Sequence, residues 1–188
     1  LLMKEDFFTD YYLEYEKKLK PKWLFKKLST SEELFKKSSK SRGKLVFCGN
    51  GASAAIASHA ALDFSKQAKI KSATYHDPAL LTAFSNDYGY ENALAKILEF
   101  NLNKNDVVVF ISVSGESPNI IKAAEFAKSL GISIVTFTGK NEKNSLRELG
   151  DINFWVDSHA YNIVEGIHMI WITSIIDSII GKKVYSVS

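Results

Sequence analysis

A single cysteine, Cys48, stands in a chain of 188 residues. No intrachain disulfide can staple the fold and no metal site can be built from thiolates, which fits a reducing, cytoplasmic setting. No apolar run approaches the roughly 18 residues of a membrane span. The opening Lys, Glu, Asp and Phe do not form a signal-peptide pattern, so neither secretion nor membrane insertion is expected. Neither sign of charge dominates, with 24 Lys and Arg against 21 Asp and Glu for a formal +3. The excess is local: residues 1–44 hold 12 basic and 7 acidic side chains (+5), and the remainder 12 and 14 (−2). A nucleic-acid protein would spread a basic field with exposed aromatics. Here the lysines read as a solvated helical face, and no nucleic-acid partner is expected. Internal repeats and low-complexity linkers are also absent. What remains, 46% hydrophobic residues in a chain too short for two full catalytic domains, is material for one compact domain.

Residues 3–40 read as two helices, parted where Pro21 removes a helical N–H near Lys20. Their bulky apolar residues, among them Phe7, Phe8, Tyr11, Tyr12 and Trp23, call for packing against a core or a neighbouring subunit. After Ser41-Arg42-Gly43 the pattern changes. Lys44-Leu45-Val46-Phe47-Cys48 is a short apolar run that ends in Gly49-Asn50-Gly51 and passes into an Ala-rich helix. The same strand, turn and helix recur from Asp106 through Ile111 into Ser112-Val113-Ser114-Gly115-Glu116-Ser117-Pro118 and a helix over 119–130. Further strands are expected at Ile132 to Phe137, Ala73 to Tyr75 and Ile152 to Val156, and a last apolar helix from about Asn162 to Ile180. Apolar strands alternating with helices specify a doubly wound α/β fold, a parallel sheet covered on both faces. The expected division is an N-terminal helical arm, residues 1–43, on a domain of residues 44–188.

Ligands of open parallel sheets bind beyond the carboxyl ends of the strands, where both polar loops fall. Gly49-Asn50-Gly51-Ala52-Ser53 opens a helix whose free N–H groups and dipole attract an anion, with glycine allowing close approach. Ser112, Ser114 and Ser117 surround Gly115 ahead of Pro118, which suits a first helical turn. Hydroxyls and backbone amides with no lysine nearby describe a cradle for a phosphate monoester. Neither loop carries G-x-x-x-x-G-K-[ST] or the third glycine of the dinucleotide fingerprint, so no nucleotide is expected. His76 and His159 read as partnerless surface residues, and Cys48 as a small buried hydrophobe.

The run Gly-Asn-Gly-Ala-Ser followed by His59, then Leu-Thr-Ala-Phe-Ser-Asn-Asp-Tyr-Gly-Tyr-Glu (81–91), Ile-Ser-Val-Ser-Gly-Glu-Ser (111–117) and Thr-Gly-Lys (138–140) resembles the phosphoheptose isomerases. These are single-domain members of the sugar isomerase (SIS) superfamily, and the resemblance spans about residues 44–180. It implies a five-stranded parallel sheet flanked by helices and a homotetramer with sites between subunits. It also implies conversion of sedoheptulose 7-phosphate to a heptose 7-phosphate that supplies surface polysaccharide. The family's substrate contacts fall on Asn50, Gly51, Ala52, Asn86, Asp87, Ser112, Ser114 and Ser117, with Val113 where a threonine is usual. Its metal-binding histidine falls on His59. Its glutamate base and ligand is Asp63 here, its glutamine is Glu165, and its histidine acid is Thr173.

His59 and Asp63 share one helix face at i,i+4, and Glu165 and His168 share one at i,i+3. If the last helix meets the first site across an interface, these four could hold a divalent metal such as zinc or move protons. The expected ligands are then His59, Asp63 and Glu165. The expected catalytic groups are Asp63 or Glu165 as base, with His168 taking the acid role absent at Thr173. Two readings follow, an aldose–ketose isomerase working through a cis-enediol and a sugar-phosphate sensor that keeps the cradle but not the proton-transfer pair.

Overall fold

In the computed structural model residues 4–185 are described, and residues 1–3 and 186–188, the outer ends of the expected arm and domain, lie outside the described residues. Five strands, β1 (Leu45–Gly49), β2 (Ser72–Thr74), β3 (Val107–Ser112), β4 (Ser133–Thr138) and β5 (Ile152–Trp155), form one sheet in the order β2-β1-β3-β4-β5. Every pairing is parallel; Leu45 lies opposite Val107 and Val107 opposite Ser133. These strands read as unbroken apolar runs because both faces are covered. Along β1, Leu45 and Phe47 enter one core while Val46 and Cys48 enter the other.

The first core is closed by α2 (Leu24–Lys40), α3 (Ala52–Lys66) and α8 (Tyr161–Ile180), the second by α5 (Tyr90–Asn101), α6 (Pro118–Ser129) and α7 (Ser145–Leu149). α4 (Pro78–Tyr88) buries no residue and packs on α5; it starts where Asp77 accepts the N–H groups of Ala79 and Leu80 at 3.0 and 3.1 Å. Leu24 and Phe35 of α2 belong to the first core, and Tyr11, Tyr15 and Leu19 of α1 (Lys4–Leu19), which has no fully buried residue, pack against it. One expectation changes. α8, at 20 residues, is long and apolar enough to cross a membrane, contrary to the expectation that no such run exists. In this fold its apolar face, from Ile163 and Ile167 to Trp171 and Ile175, is the centre of the first core.

The chain leaves β1 into α3 on one face and β3 into α6 on the other. The carboxyl ends of β1 and β3 are therefore neighbours at the point where the winding reverses, and a crevice opens there.

Candidate active site

Both loops are shaped by glycines that no other residue could replace without strain. Gly51 has φ +54° and ψ −125° and turns the chain into α3, whose first turn has no side-chain cap. Gly115 has φ +66°, and a Cβ there would lie 2.1 Å from Asn144 Oδ1. Ser112 Oγ accepts the Gly115 N–H at 3.2 Å and Ser114 Oγ the Glu116 N–H at 3.1 Å. Each hydroxyl keeps its own proton to donate. Ser117 occupies the N-cap of α6 and Pro118 the first turn, but the Ser117 hydroxyl makes no capping bond. A group that usually closes a helix end is thus left to a ligand. Glu116 points away, its carboxylate accepting the Ser145 N–H at 2.9 Å and hydroxyl at 2.8 Å, so it braces the loop against α7.

A cleft of about 120 Å³ collects Asn50, Ser53, Ser112, Ser114 and Ser117 with Tyr161 and Glu165 from the start of α8. Gly51 lines a second cavity of about 200 Å³ on the other side of Asn50, and Ala52 is exposed at the start of α3. Asn50 is held by Asn119: each amide donates to the other's carbonyl oxygen at 2.9 Å, and the Tyr90 hydroxyl adds a third bond to Asn50 Oδ1 at 3.1 Å. Asn119 and Tyr90, which sequence reasoning missed, brace Asn50 from outside the cleft lining. Asn86 and Asp87 lie exposed near the end of α4, bonded to one another at 2.9 Å and outside the cleft.

Glu165 is the only carboxylate among the cleft-lining residues, and burial holds its carboxyl above the ordinary carboxylate range. Contrary to expectation, a lysine stands near the cradle. Lys140 Nζ donates to the Tyr161 hydroxyl at 2.9 Å and stands 4.2 Å from its ring centroid, one side chain behind the cleft. Thr-Gly-Lys was visible in the sequence, but its approach to residue 161 is a matter of folding.

The proton-transfer candidates are dispersed. His59 Nε2 is 3.0 Å from Asp63 Oδ2 on a solvent-facing stretch of α3, away from the cleft lining. His168 is fully buried; its Nε2 donates to Thr138 O at 3.0 Å, its Nδ1 has no partner, and burial lowers its pKa to about 4. It is a neutral core histidine packed on Phe137 and Trp171. That corrects the acid role expected of it: i,i+3 residues lie about 60° apart around a helix, and the packing of α8 sets Glu165 at the cleft and His168 in the core. Thr173 bonds back to Met169 O at 2.9 Å. His76 also departs from expectation: it is half-buried with Nδ1 3.1 Å from Thr74 Oγ1, its Nε2 accepts the Gly49 N–H at 3.4 Å, and burial lowers its pKa. His159 is exposed and Cys48 buried.

For zinc, one chain offers two adjacent ligands, His59 and Asp63; no group of three or more His, Cys, Asp or Glu converges among the described residues. Protein zinc sites take three or four ligands. A single copy therefore does not fit the metal.

A serine loop and a Gly-Asn-Gly turn thus meet at the reversal point of a parallel sheet in the order β2-β1-β3-β4-β5. The family model described as SIS domain matches residues 10–139. The phosphoheptose isomerase of Helicobacter pylori strain P12 is 32% identical over 190 residues, covering 94% of this chain and 96% of its own. The structure of a phosphoheptose isomerase from Neisseria gonorrhoeae superposes with a TM-score of 0.84 at 26% identity, covering 93% of this chain and 96% of that one. One from Francisella tularensis shares the fold with a TM-score of 0.82 at 23% identity, covering 96% of this chain and 100% of that one. The chain belongs to the phosphoheptose isomerase family.

Proposed function

We propose that the chain is an aldose–ketose isomerase that interconverts sedoheptulose 7-phosphate and a D-glycero-heptose 7-phosphate. One observation carries the proposal: a single cleft holds three serine hydroxyls at a helix N-terminus together with one carboxylate, Glu165. The phosphate sits on Ser112, Ser114, Ser117 and the first N–H groups of α6, where hydrogen bonds to a charged group contribute roughly 1.5–3 kcal/mol each. Glu165 takes the proton from the carbon beside the carbonyl, giving a cis-enediolate, and returns it to the neighbouring carbon, while solvent water carries the hydroxyl proton from one oxygen to the other. A carboxyl raised by burial is the better base near neutral pH. N–H groups opening α3 stand opposite the serine loop and can stabilise the enediol oxygens.

Several parts of the proposal reach beyond one chain. The protein assembles as a homotetramer, in line with the exposed Phe7, Phe8, Tyr12 and Leu13 of α1, Leu62 of α3 and Ile170 of α8. Residues from a second copy bring His59 and Asp63 to a neighbouring cleft, where Asn86 and Asp87 also reach the sugar. Zinc binds there only if that copy completes the ligand set, and no step above passes through it. The enzyme works in the cytoplasm and supplies heptose for a surface polysaccharide.

The burial of His168 and the position of Asp63 away from the cleft lining favour one other reading, a phosphosugar sensor without turnover. NMR of five-, six- and seven-carbon ketose phosphates with the protein, with and without zinc, separates the two. Aldose formation from the seven-carbon substrate alone is expected; tight binding of any of them with no aldose formed would make the protein a sensor.

A further inference from the structure

Helix α1 buries no residue, yet it is fastened at four points to the segment that carries Tyr161 and Glu165 and to α8 beyond it. Lys18 pairs with Asp157 at 2.8 Å, and the Ser158 hydroxyl donates to Glu14 Oε1 at 2.6 Å. The Tyr15 hydroxyl donates to Asn162 O at 2.9 Å, and Trp171 Nε1 donates to Leu19 O at 2.9 Å. Tyr15 is the member nearest the chemistry. Its phenol is seated on Gly166, where a Cβ would stand 2.2 Å from the hydroxyl and 3.0 Å from the ring. Glycine is among the poorest residues for a helix interior, so its presence one position after Glu165 calls for a local reason. The room it leaves for Tyr15 is that reason. Burial raises the phenol's pKa to about 12.

We propose that Tyr15 is a positioning residue for Glu165: wedged onto Gly166 and bonded to Asn162 O, it fixes the first turn of α8 and so the place of the carboxylate in the serine cleft. The inference rests on Glu165 as the base. Tyr15 does not line the cleft, so it acts through Glu165 and not on the sugar. Displacements of about 1 Å at a reacting group can lower a rate around 10²-fold. Because the phosphate is held by a different loop, the loss should fall on kcat and spare KM.

The test is isomerisation of sedoheptulose 7-phosphate by the full chain in five forms: wild type, Tyr15→Phe, Tyr15→Leu, Gly166→Ala and Glu165→Gln. Tyr15→Leu and Gly166→Ala, one removing the wedge and the other filling its seat, should each lower kcat by about 10- to 100-fold with KM within about twofold of wild type. Tyr15→Phe keeps the ring in its seat and should recover most of that loss. A merely structural role would lower the melting temperature and leave kcat at 25 °C unchanged. Unchanged kcat in both Tyr15→Leu and Gly166→Ala, with Glu165→Gln inactive, overturns the positioning role alone. Full turnover in Glu165→Gln removes the base, and the role of Tyr15 with it.

Discussion

The serine cleft and the exposed stretch of α3 two turns further on are built differently, although the resemblance of the sequence to phosphoheptose isomerases draws on both. In the cleft the bonds that brace the loop are made inside one chain, from the Ser112 and Ser114 bonds to the Asn50–Asn119 pair and the Glu116 brace, which leaves the Ser117 hydroxyl for a ligand. On α3, His59 and Asp63 bond to one another and, among the described residues, their side chains make no other hydrogen bond, with the histidine 49% and the aspartate 23% exposed. A site that is complete can bind as a single copy. A pair that faces solvent needs a second surface before it can hold a metal or meet a substrate. Phosphosugar binding should therefore belong to one chain, and the contribution of α3 to an assembly.

Glu165→Gln should break the comparison most severely. Removing a general base lowers turnover by roughly 10²–10⁴-fold, while phosphosugar affinity measured by calorimetry should stay near the wild-type value because the serines are untouched. Loss of binding together with turnover would make Glu165 a ligand contact and not the base.

His168 sets the next effect, on stability. Its folded pKa, lowered to about 4, lies below the roughly 6.5 of an unfolded histidine, so between those values the unfolded chain binds more protons. Stability is then highest above pH 6.5 and falls as the pH drops toward 4, by up to about 3 kcal/mol at 1.36 kcal/mol per unit. Urea midpoints followed from pH 7 to pH 4 for wild type and His168→Phe should diverge over that window. Parallel curves would place His168 in contact with solvent and return it to the list of candidate acids.

Smaller changes sharpen the contrast. Ser114→Ala and Ser117→Ala should each weaken phosphosugar binding by about 0.5–1.5 kcal/mol, or more where the lost bond is to a full phosphate charge. The unfolding midpoint should barely move. Equal affinity in both variants would remove the phosphate from this loop. Asp63→Asn should change affinity least of all, within about twofold if α3 stays outside the cleft of its own chain. A tenfold weaker complex would bring Asp63 to the sugar directly.

Much of this could be read from residues alone. Strands β1 and β3 declare themselves because parallel strands covered on both faces are apolar without interruption, and the two loops follow from glycines and serines at their ends. Residues 78–101 are harder. α4 buries nothing and so has no apolar stripe, and only the Asp77-Pro78 start and the Ala93, Leu94, Ile97, Leu98 spacing announce two helices. In the candidate site, the serine loop and Glu165 can be singled out by residue type, whereas the places of Asn119, Tyr90, Lys140 and Tyr15 are set by contacts between distant parts of the chain. Tyr15 and Asn162 are 147 residues apart. His168 was misjudged for a related reason: i,i+3 spacing places two residues on one side of a helix, but only packing decides which of them meets the core.

The central claim is that one cleft both binds the phosphosugar and moves its proton. Its most direct test follows deuterium from solvent into the carbon beside the carbonyl of sedoheptulose 7-phosphate, by NMR, with wild type and Glu165→Gln at saturating substrate. Incorporation with wild type and none with Glu165→Gln, both saturating at similar substrate concentrations, is the expected result. Saturable binding to wild type with no deuterium incorporated would contradict it.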